Sequence, residues 1–189
     1  MDIKAKAIIL VPSIVFVIVM AFLILGSFIT IAFGIPCNLG LPLLIRMVGL
    51  LAITIGLFFL GWLFKYRKPM DILVSTYLTF SKMVKKSSLE DRSRRTEPLV
   101  VKGPYKYVRH PIYYSVVVMV LGFGLLLDYS FMLFSAILLL IWFNFVVARF
   151  EEEELKAIFG EHYEHYLKEV SRIIPFLKLG KGKKRRRKL

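Results

Sequence analysis

Four apolar stretches constrain this chain more than any other feature of its sequence. The first two, residues 8–33 and 43–64, are 26 and 22 residues long and contain a single charged residue, Arg46. Because about 20 apolar residues cross a hydrocarbon core as an α-helix, each stretch is long enough to span a membrane. The link between them has two prolines, two glycines and no charge, which predicts a tight turn between antiparallel helices.

The second pair of apolar stretches, residues 112–127 and 131–147, is shorter, at 16 and 17 residues. Together they are too long for one span, and Asp128 at their midpoint would be costly in lipid. We expect a helical hairpin with Asp128 at the far surface, and a re-entrant loop is the alternative. The fold class predicted is thus all-α, a membrane bundle of about four transmembrane helices.

The charges lie outside these stretches. The chain is 57% hydrophobic yet carries a formal net charge of +14, and a membrane protein separates these two features in space. Twelve of the 27 Lys and Arg residues lie in 65–109, twelve more lie in 149–188, and the two outer turns have none. The positive-inside rule therefore places both termini and the central loop in the cytoplasm. The first apolar run is too long for a cleaved signal, so we interpret it as an anchor.

The composition also predicts how the chain is divided. We expect N-terminal anchor helices and a basic loop in 1–98, a functional core with the last two spans in 99–176, and a basic tail in 177–189. The tail is expected to adhere to anionic lipid headgroups. A nucleic-acid partner is not expected, because no folded reader or interleaved aromatic residues accompany the charge. The single cysteine, Cys37, excludes an internal disulfide.

One unusual segment, residues 99–114, leads into the third span. Gly103-Pro104 interrupts any helix, and Pro111 suits the first turn of a new one. An interface belt of aromatic and basic residues accounts for most of this segment but gives no reason for His110-Pro111. The residues gathered at this turn are Tyr105, Tyr107, Arg109, His110, Tyr113 and Tyr114.

The other unusual segment, residues 149–155, follows the fourth span and contains four consecutive glutamates. It is either a solvated helical face with weak local ion pairs or a carboxylate cluster that binds a cationic ligand group. Gly122 and Gly124 in the third span favour helix packing by small residues over ligand approach. His162 and His165 have the spacing of a metal pair, but no third ligand is evident, so no metal site is expected.

In these segments the chain resembles the isoprenylcysteine carboxyl methyltransferases and the related integral membrane phospholipid methyltransferases. The resemblance covers roughly residues 99–176. Ser115 stands where many relatives have glycine, and the extra N-terminal spans of the eukaryotic carboxyl methyltransferases are missing. The matching strings are Gly103-Pro-Tyr105, Arg109-His-Pro-Ile-Tyr113, Arg149-Phe-Glu-Glu152, Phe159-Gly-Glu-His-Tyr-Glu-His-Tyr166 and Val170-Ser-Arg-Ile-Ile-Pro175.

The resemblance implies an enzyme that transfers a methyl group from S-adenosylmethionine to a lipid-embedded acceptor at the cytoplasmic membrane surface. It implies catalytic roles for Arg149 and Glu152. The implied cofactor-binding residues are Tyr105, Arg109, His110, Pro111, Tyr113, Glu151 and Glu152.

The acceptor stays open at this point. A prenylated cysteine carboxylate or another lipid acid is one candidate, and a phospholipid amine is another. The positive charge of the basic loop attracts anionic groups, which slightly favours an acidic acceptor. Two other classes remain as alternatives, a reductase of the sterol-reductase type that uses NADPH and a non-catalytic membrane scaffold. The oligomeric state is not predicted.

Overall fold

The computed structural model describes residues 3–85 and 99–176, and within these ranges the chain is built from helices and turns. A 3₁₀ turn covers Gly103–Lys106, and a π-helical turn at Phe143–Val147 joins the fifth and sixth α-helices into one continuous helix. The predicted all-α fold class is confirmed. The α-helices in the described ranges are α1 (Ile3–Ala32), α2 (Leu43–Phe64), α3 (Pro69–Lys85), α4 (Pro111–Leu127), α5 (Ser130–Trp142), α6 (Ala148–Phe159) and α7 (Glu161–Glu169).

The predicted spans are present as helices. Among the described residues, Ile3–Ala32, Leu43–Phe64 and Ser130–Phe159 are long and apolar enough to cross a membrane, and α4 is a shorter apolar helix. Large apolar side chains are exposed on their surfaces, for example Phe28 at 67% and Ile31 at 78%. Exposure on this scale suits helices that face lipid. The chain is therefore an integral membrane helical bundle.

Asp128 brings the two short turns together at one end of the bundle, which we name the turn end. Its carboxylate accepts hydrogen bonds from the backbone N–H groups of Leu39, Gly40 and Leu41 at 3.2, 3.0 and 3.3 Å. The turn between α4 and α5 thus lies beside the turn between α1 and α2. This placement agrees with the predicted hairpin, since a re-entrant loop would turn back before reaching that level.

Small residues let α2 and α4 approach closely. A Cβ atom built on Gly49 would lie 2.6 Å from the carbonyl oxygen of Gly122, and one built on Gly122 would lie 2.7 Å from the carbonyl oxygen of Gly49. A Cβ atom on Gly124 would lie 2.8 Å from the Leu133 side chain of α5. Both Gly122 and Gly124 therefore serve helix packing, as the sequence predicts, and neither opens a groove to lipid.

Helix α3 lies within the connection predicted as a basic loop. In that connection, residues 65–109, Pro69–Lys85 forms an amphipathic helix that packs against α1. Buried Ile72, Ser75 and Thr79 recur at three- and four-residue spacing, so one face of the helix is covered. Lysines and an arginine at its ends gave the segment the charge of a loop. These charges make the segment look like a loop, although its buried residues recur with the three- and four-residue spacing of a helix.

Substituting Gly122 tests the close contact between α2 and α4. We expect Gly122→Ala to lower the free energy of unfolding by about 1–3 kcal/mol, because the new methyl group meets backbone atoms that cannot move aside. Thermal unfolding in detergent, followed by circular dichroism, measures the change. Gly61→Ala in α2 is the matched control, since nothing lies within 4 Å of a Cβ atom there. Equal effects of both substitutions would contradict the assigned packing.

Candidate functional site

Two segments far apart in the sequence meet at the end of the bundle opposite the turn end, which we name the site end. Arg109 and His110 lie immediately before α4, whose first residue is Pro111. Glu151 and Glu152 lie in the first turns of α6. Because α4 and the continuous α5–α6 helix run antiparallel, the start of α4 faces the start of α6.

His110 lies between two carboxylates. Its Nδ1 atom is 3.2 Å from Glu151 Oε2, and its Nε2 atom is 3.3 Å from Glu152 Oε1. The Tyr113 hydroxyl also donates to Glu151 Oε2 at 3.0 Å. A neutral imidazole has one N–H, so only the imidazolium form donates to both glutamates. Burial acts to lower the pKa of His110, but the hydrogen bonds and charges of Glu151 and Glu152 outweigh it and raise the pKa.

Aromatic stacking fixes the plane of the His110 ring. The rings of His110 and Tyr113 are nearly parallel, with an interplanar angle of 11° and centroids 5.2 Å apart. Tyr113 in turn stacks on Phe143, at 7° and 4.6 Å. Phe143 belongs to the buried core of the bundle, so the stack ties the imidazole to the membrane helices.

Glu152 is the most heavily paired group of the site. Its Oε1 atom contacts Arg109 Nη2 at 2.9 Å and His110 Nε2 at 3.3 Å. Arg172 grips both carboxylate oxygens, with Nε donating to Oε1 at 3.0 Å and Nη2 donating to Oε2 at 2.7 Å. The Glu152 residue is 3% exposed, so its charge is compensated by these cations rather than by water.

The residues after α7 hold the turn that carries Arg109 and His110. The backbone N–H of Arg109 donates to Ser171 O at 2.9 Å, and that of His110 donates to Arg172 O at 3.1 Å. The Tyr166 hydroxyl of α7 donates to the carbonyl oxygen of Tyr105 at 2.6 Å. Burial raises the pKa of the Tyr166 hydroxyl, which keeps this group a hydrogen-bond donor.

A pocket opens beside this cluster, between α3 on one side and α6 and α7 on the other. The space between its walls, including the open mouth, is about 770 Å³. The walls combine apolar, aromatic and charged groups. The lining residues are Arg67, Ile72, Ser75, Thr76, Leu99, Val100, Tyr105, Arg109, His110, Pro111, Ile112, Tyr113, Glu151, Leu155, Phe159, Tyr163 and Tyr166.

Most of the site residues named from the sequence meet at this pocket, and two lie outside its lining. Glu152 lies behind the wall, buried among its cationic partners. Arg149 lies on the surface with its side chain 71% exposed, and its Nε atom is 3.4 Å from Glu153 Oε1. Direct catalytic roles for Arg149 and Glu152 stay predictions. The site residues named from the sequence that do line the pocket are Tyr105, Arg109, His110, Pro111, Tyr113 and Glu151.

Several lining residues were missed by reasoning from the sequence. Ser75 and Thr76 come from α3, whose helical period is visible in the sequence once the flanking charges are set aside. Tyr163 and Tyr166 are three residues apart, a spacing that places both on one face of α7. Their string was recognised in the family resemblance, but no role was assigned to either tyrosine.

The other histidines take no part in the site. His162 and His165 are exposed on α7, and His165 Nδ1 is 3.7 Å from the carboxylate of its surface neighbour Glu169. Within residues 3–85 and 99–176, no group of three or more His, Cys, Asp and Glu side chains is arranged to hold a metal ion.

A sequence profile of the family described as phospholipid methyltransferase matches residues 44–162. The match begins in α2 and ends in α7. It extends toward the N-terminus beyond residues 99–176, which carry the sequence motifs, and it does not include residues 163–176. Helix α2, which the motifs left out, belongs to the matched unit.

Two curated relatives are similar to part of the chain. A methanethiol S-methyltransferase from Crocosphaera subtropica (strain ATCC 51142 / BH68) is 32% identical over 127 residues, which are 65% of this chain and 46% of that protein. A protein-S-isoprenylcysteine O-methyltransferase from Schizosaccharomyces pombe (strain 972 / ATCC 24843) is 34% identical over 115 residues, 56% of this chain and 47% of that protein. The chain thus spans about half the length of these relatives. No solved structure matches the chain significantly.

The family profile covers more than half of the chain and includes both segments that meet in the buried cluster. The Arg109-His110-Pro111 and Glu151-Glu152 segments lie inside the matched range and are brought together by the fold. The family resemblance predicted from the sequence is confirmed, and the chain belongs to the phospholipid methyltransferase family.

Proposed function

We propose that this protein transfers a methyl group from S-adenosylmethionine to a lipidic acceptor at the membrane surface. One observation carries the proposal: a pocket lined by a carboxylate, a histidine and tyrosines opens at the ends of helices that are apolar enough to lie in lipid. A cofactor that is polar and cationic and an acceptor that is apolar can meet at such a boundary. Both relatives are methyltransferases by name, which supports the same reaction type.

The lining residues fit S-adenosylmethionine chemically. The Glu151 carboxylate suits an ammonium group, and the faces of Tyr105 and Tyr113 suit an adenine ring or a sulfonium. Two buried polar atoms of lining residues, Arg109 Nε and Tyr163 Oη, have no hydrogen-bond partner in the part of the chain that the structure describes. A buried polar atom without a partner calls for an explanation, and a bound ligand is the one that this proposal supplies.

When bound, S-adenosylmethionine supplies a methyl group on a positively charged sulfur atom, which is a good leaving group. The protein's own part is then orientation and the exclusion of water. Glu151, held by His110 and Tyr113, orients the cationic end of the ligand. The apolar lining residues Ile72 and Ile112 offer the hydrocarbon part of an acceptor a dry wall. A carboxylate acceptor needs no general base, whereas an amine must lose a proton.

Binding of the cofactor is the first prediction to test. We expect calorimetry on the purified protein in detergent to detect S-adenosylmethionine binding. Glu151→Gln should weaken binding roughly ten- to a hundred-fold, the usual effect of losing a hydrogen bond to a charged group. Glu161→Gln on the exposed start of α7 is the control and should bind like the wild type. Binding of NADPH instead of S-adenosylmethionine would favour a reductase, and binding of neither would favour a scaffold.

The orientation of the bundle belongs to the same proposal. The basic residues in 65–109 support a cytoplasmic location for the site end. The basic tail, which lies outside the described residues, is expected on the same side. Cys37 at the turn end and Lys106 beside the pocket are both exposed. We expect an impermeant thiol reagent to label native Cys37 in intact cells and to spare Lys106→Cys in a Cys37→Ser background. The reverse labelling pattern would contradict the assigned orientation.

The most detailed part of the proposal is the chemical identity of the methyl acceptor. A phospholipid, a prenylated cysteine and a small thiol are suggested by the family description and by the names of the two relatives. We expect the acceptor to carry a long hydrocarbon group, because a pocket at a membrane surface offers no advantage to a water-soluble one. An acidic headgroup is favoured by the surrounding positive charge.

Labelled S-adenosylmethionine supplied with total lipid extract, a prenylated cysteine analogue, a short soluble analogue or methanethiol distinguishes these acceptors. We expect methylation of the prenylated analogue or of an acidic lipid. Label in phosphatidylethanolamine derivatives alone would identify a phospholipid amine as the acceptor. Equal rates with the soluble compounds would contradict a lipidic acceptor.

A further inference from the structure

Arg172 lies outside the range matched by the family profile, 44–162, and outside the pocket lining, yet it contacts the centre of the buried cluster. Its guanidinium donates to both oxygens of Glu152, at 3.0 and 2.7 Å. Its third nitrogen, Nη1, donates to Asn144 O at 3.0 Å, within the π-helical turn between α5 and α6. One side chain therefore joins the segment after α7 to the helix that carries the glutamates.

The two-pronged contact orients the Glu152 carboxylate. A guanidinium presents parallel N–H groups that match both oxygens of a carboxylate, and this geometry fixes the carboxylate plane. With that plane fixed, Glu152 Oε1 is directed at Arg109 Nη2 and His110 Nε2. A lysine at this position would keep the charge but lose the fork and the bond to Asn144.

The residues after α7 also hold the backbone of the turn before α4. The carbonyl oxygens of Ser171 and Arg172 accept the N–H groups of Arg109 and His110. His110 is thus positioned twice by the residues after α7, through its own backbone and through Glu152. Its ring in turn contacts Glu151, which lines the pocket.

We infer that Arg172 is a positioning residue: it holds Glu152, and through Glu152 it sets His110, Arg109 and the cofactor-binding wall of the pocket. The ligand named here, S-adenosylmethionine, rests on the proposed function. The Arg172 side chain does not line the pocket, so we expect it to act on the ligand through the buried carboxylate that it orients.

A double-mutant cycle measures this transmission. We expect Arg172→Gln and Glu152→Gln each to weaken S-adenosylmethionine binding by roughly ten-fold or more in calorimetry. The double variant should bind no more weakly than Glu152→Gln alone, because Arg172 then has no carboxylate to orient. Glu169→Gln, three residues before Arg172 and on an exposed surface, is the matched control and should bind like the wild type. Losses that multiply in the double variant, or a single variant with unchanged affinity, would overturn the inference.

A second measurement needs no ligand. In ¹⁵N-histidine NMR spectra the buried ring N–H groups of His110 should exchange slowly with water and give signals that disappear in His110→Gln, while the exposed His162 and His165 exchange fast. We expect Arg172→Gln to speed this exchange until the signals are lost, and Glu169→Gln to retain them. If Arg172→Gln does not fold, Arg172→Lys takes its place with the same expectation, because it keeps the charge without the fork.

Slow exchange at His110 in the folded Arg172 variants would overturn the positioning role even if the wild type binds S-adenosylmethionine. The other outcome is that the ring N–H groups of His110 exchange fast in the Arg172 variants but slowly in the wild type, and that the wild type does not bind S-adenosylmethionine. This result would support the positioning role and contradict the proposed function. The two failures are therefore distinguishable.

Discussion

The buried carboxylate of Glu152 organises the site end of this protein. A charge at 3% exposure needs partners to replace its lost hydration, and Arg109, His110 and Arg172 supply them from two segments of the chain. Satisfying this single carboxylate joins the start of α4, the first turns of α6 and the residues after α7. The neighbouring Glu151 is thereby placed at the pocket with its own partners, His110 and Tyr113.

Contacts between the membrane helices at the turn end set the positions of the segments that form the site. Asp128 holds the two short turns together, and glycines on α2 and α4 let their backbones approach. With the turn end closed, α4 and the continuous α5–α6 helix lie antiparallel, so the start of α4 and the start of α6 meet at the site end. The stack of His110, Tyr113 and Phe143 then connects the site to the bundle core. Rigid helices below a polar cluster are what a precisely oriented ligand site requires.

The sequence indicated which residues form the cluster but not which of its glutamates faces the pocket. The family resemblance implied that Arg109, His110, Glu151 and Glu152 belong together, and the fold brings them into contact. It implied a catalytic role for Glu152 and a cofactor-binding role for both glutamates, whereas Glu151 faces the pocket and Glu152 is enclosed by cations. Which of two adjacent helical residues faces a cavity depends on the rotation of the helix against its neighbours. Neighbouring residues point about 100° apart around a helix, so packing alone decides this.

The sequence by itself determined the helical class and the apolar spans, because a run of about 20 apolar residues satisfies its backbone hydrogen bonds in lipid by forming a helix. The family resemblance of its motifs indicated which segments meet. Only the tertiary structure showed that Pro69–Lys85 is a pocket wall and that Arg172, twenty residues beyond Glu152, grips its carboxylate. Such contacts join residues whose separation along the chain carries no periodic signal. They form because a buried charge is costly unless it is paired, and the packing of the helices decides which partner is within reach.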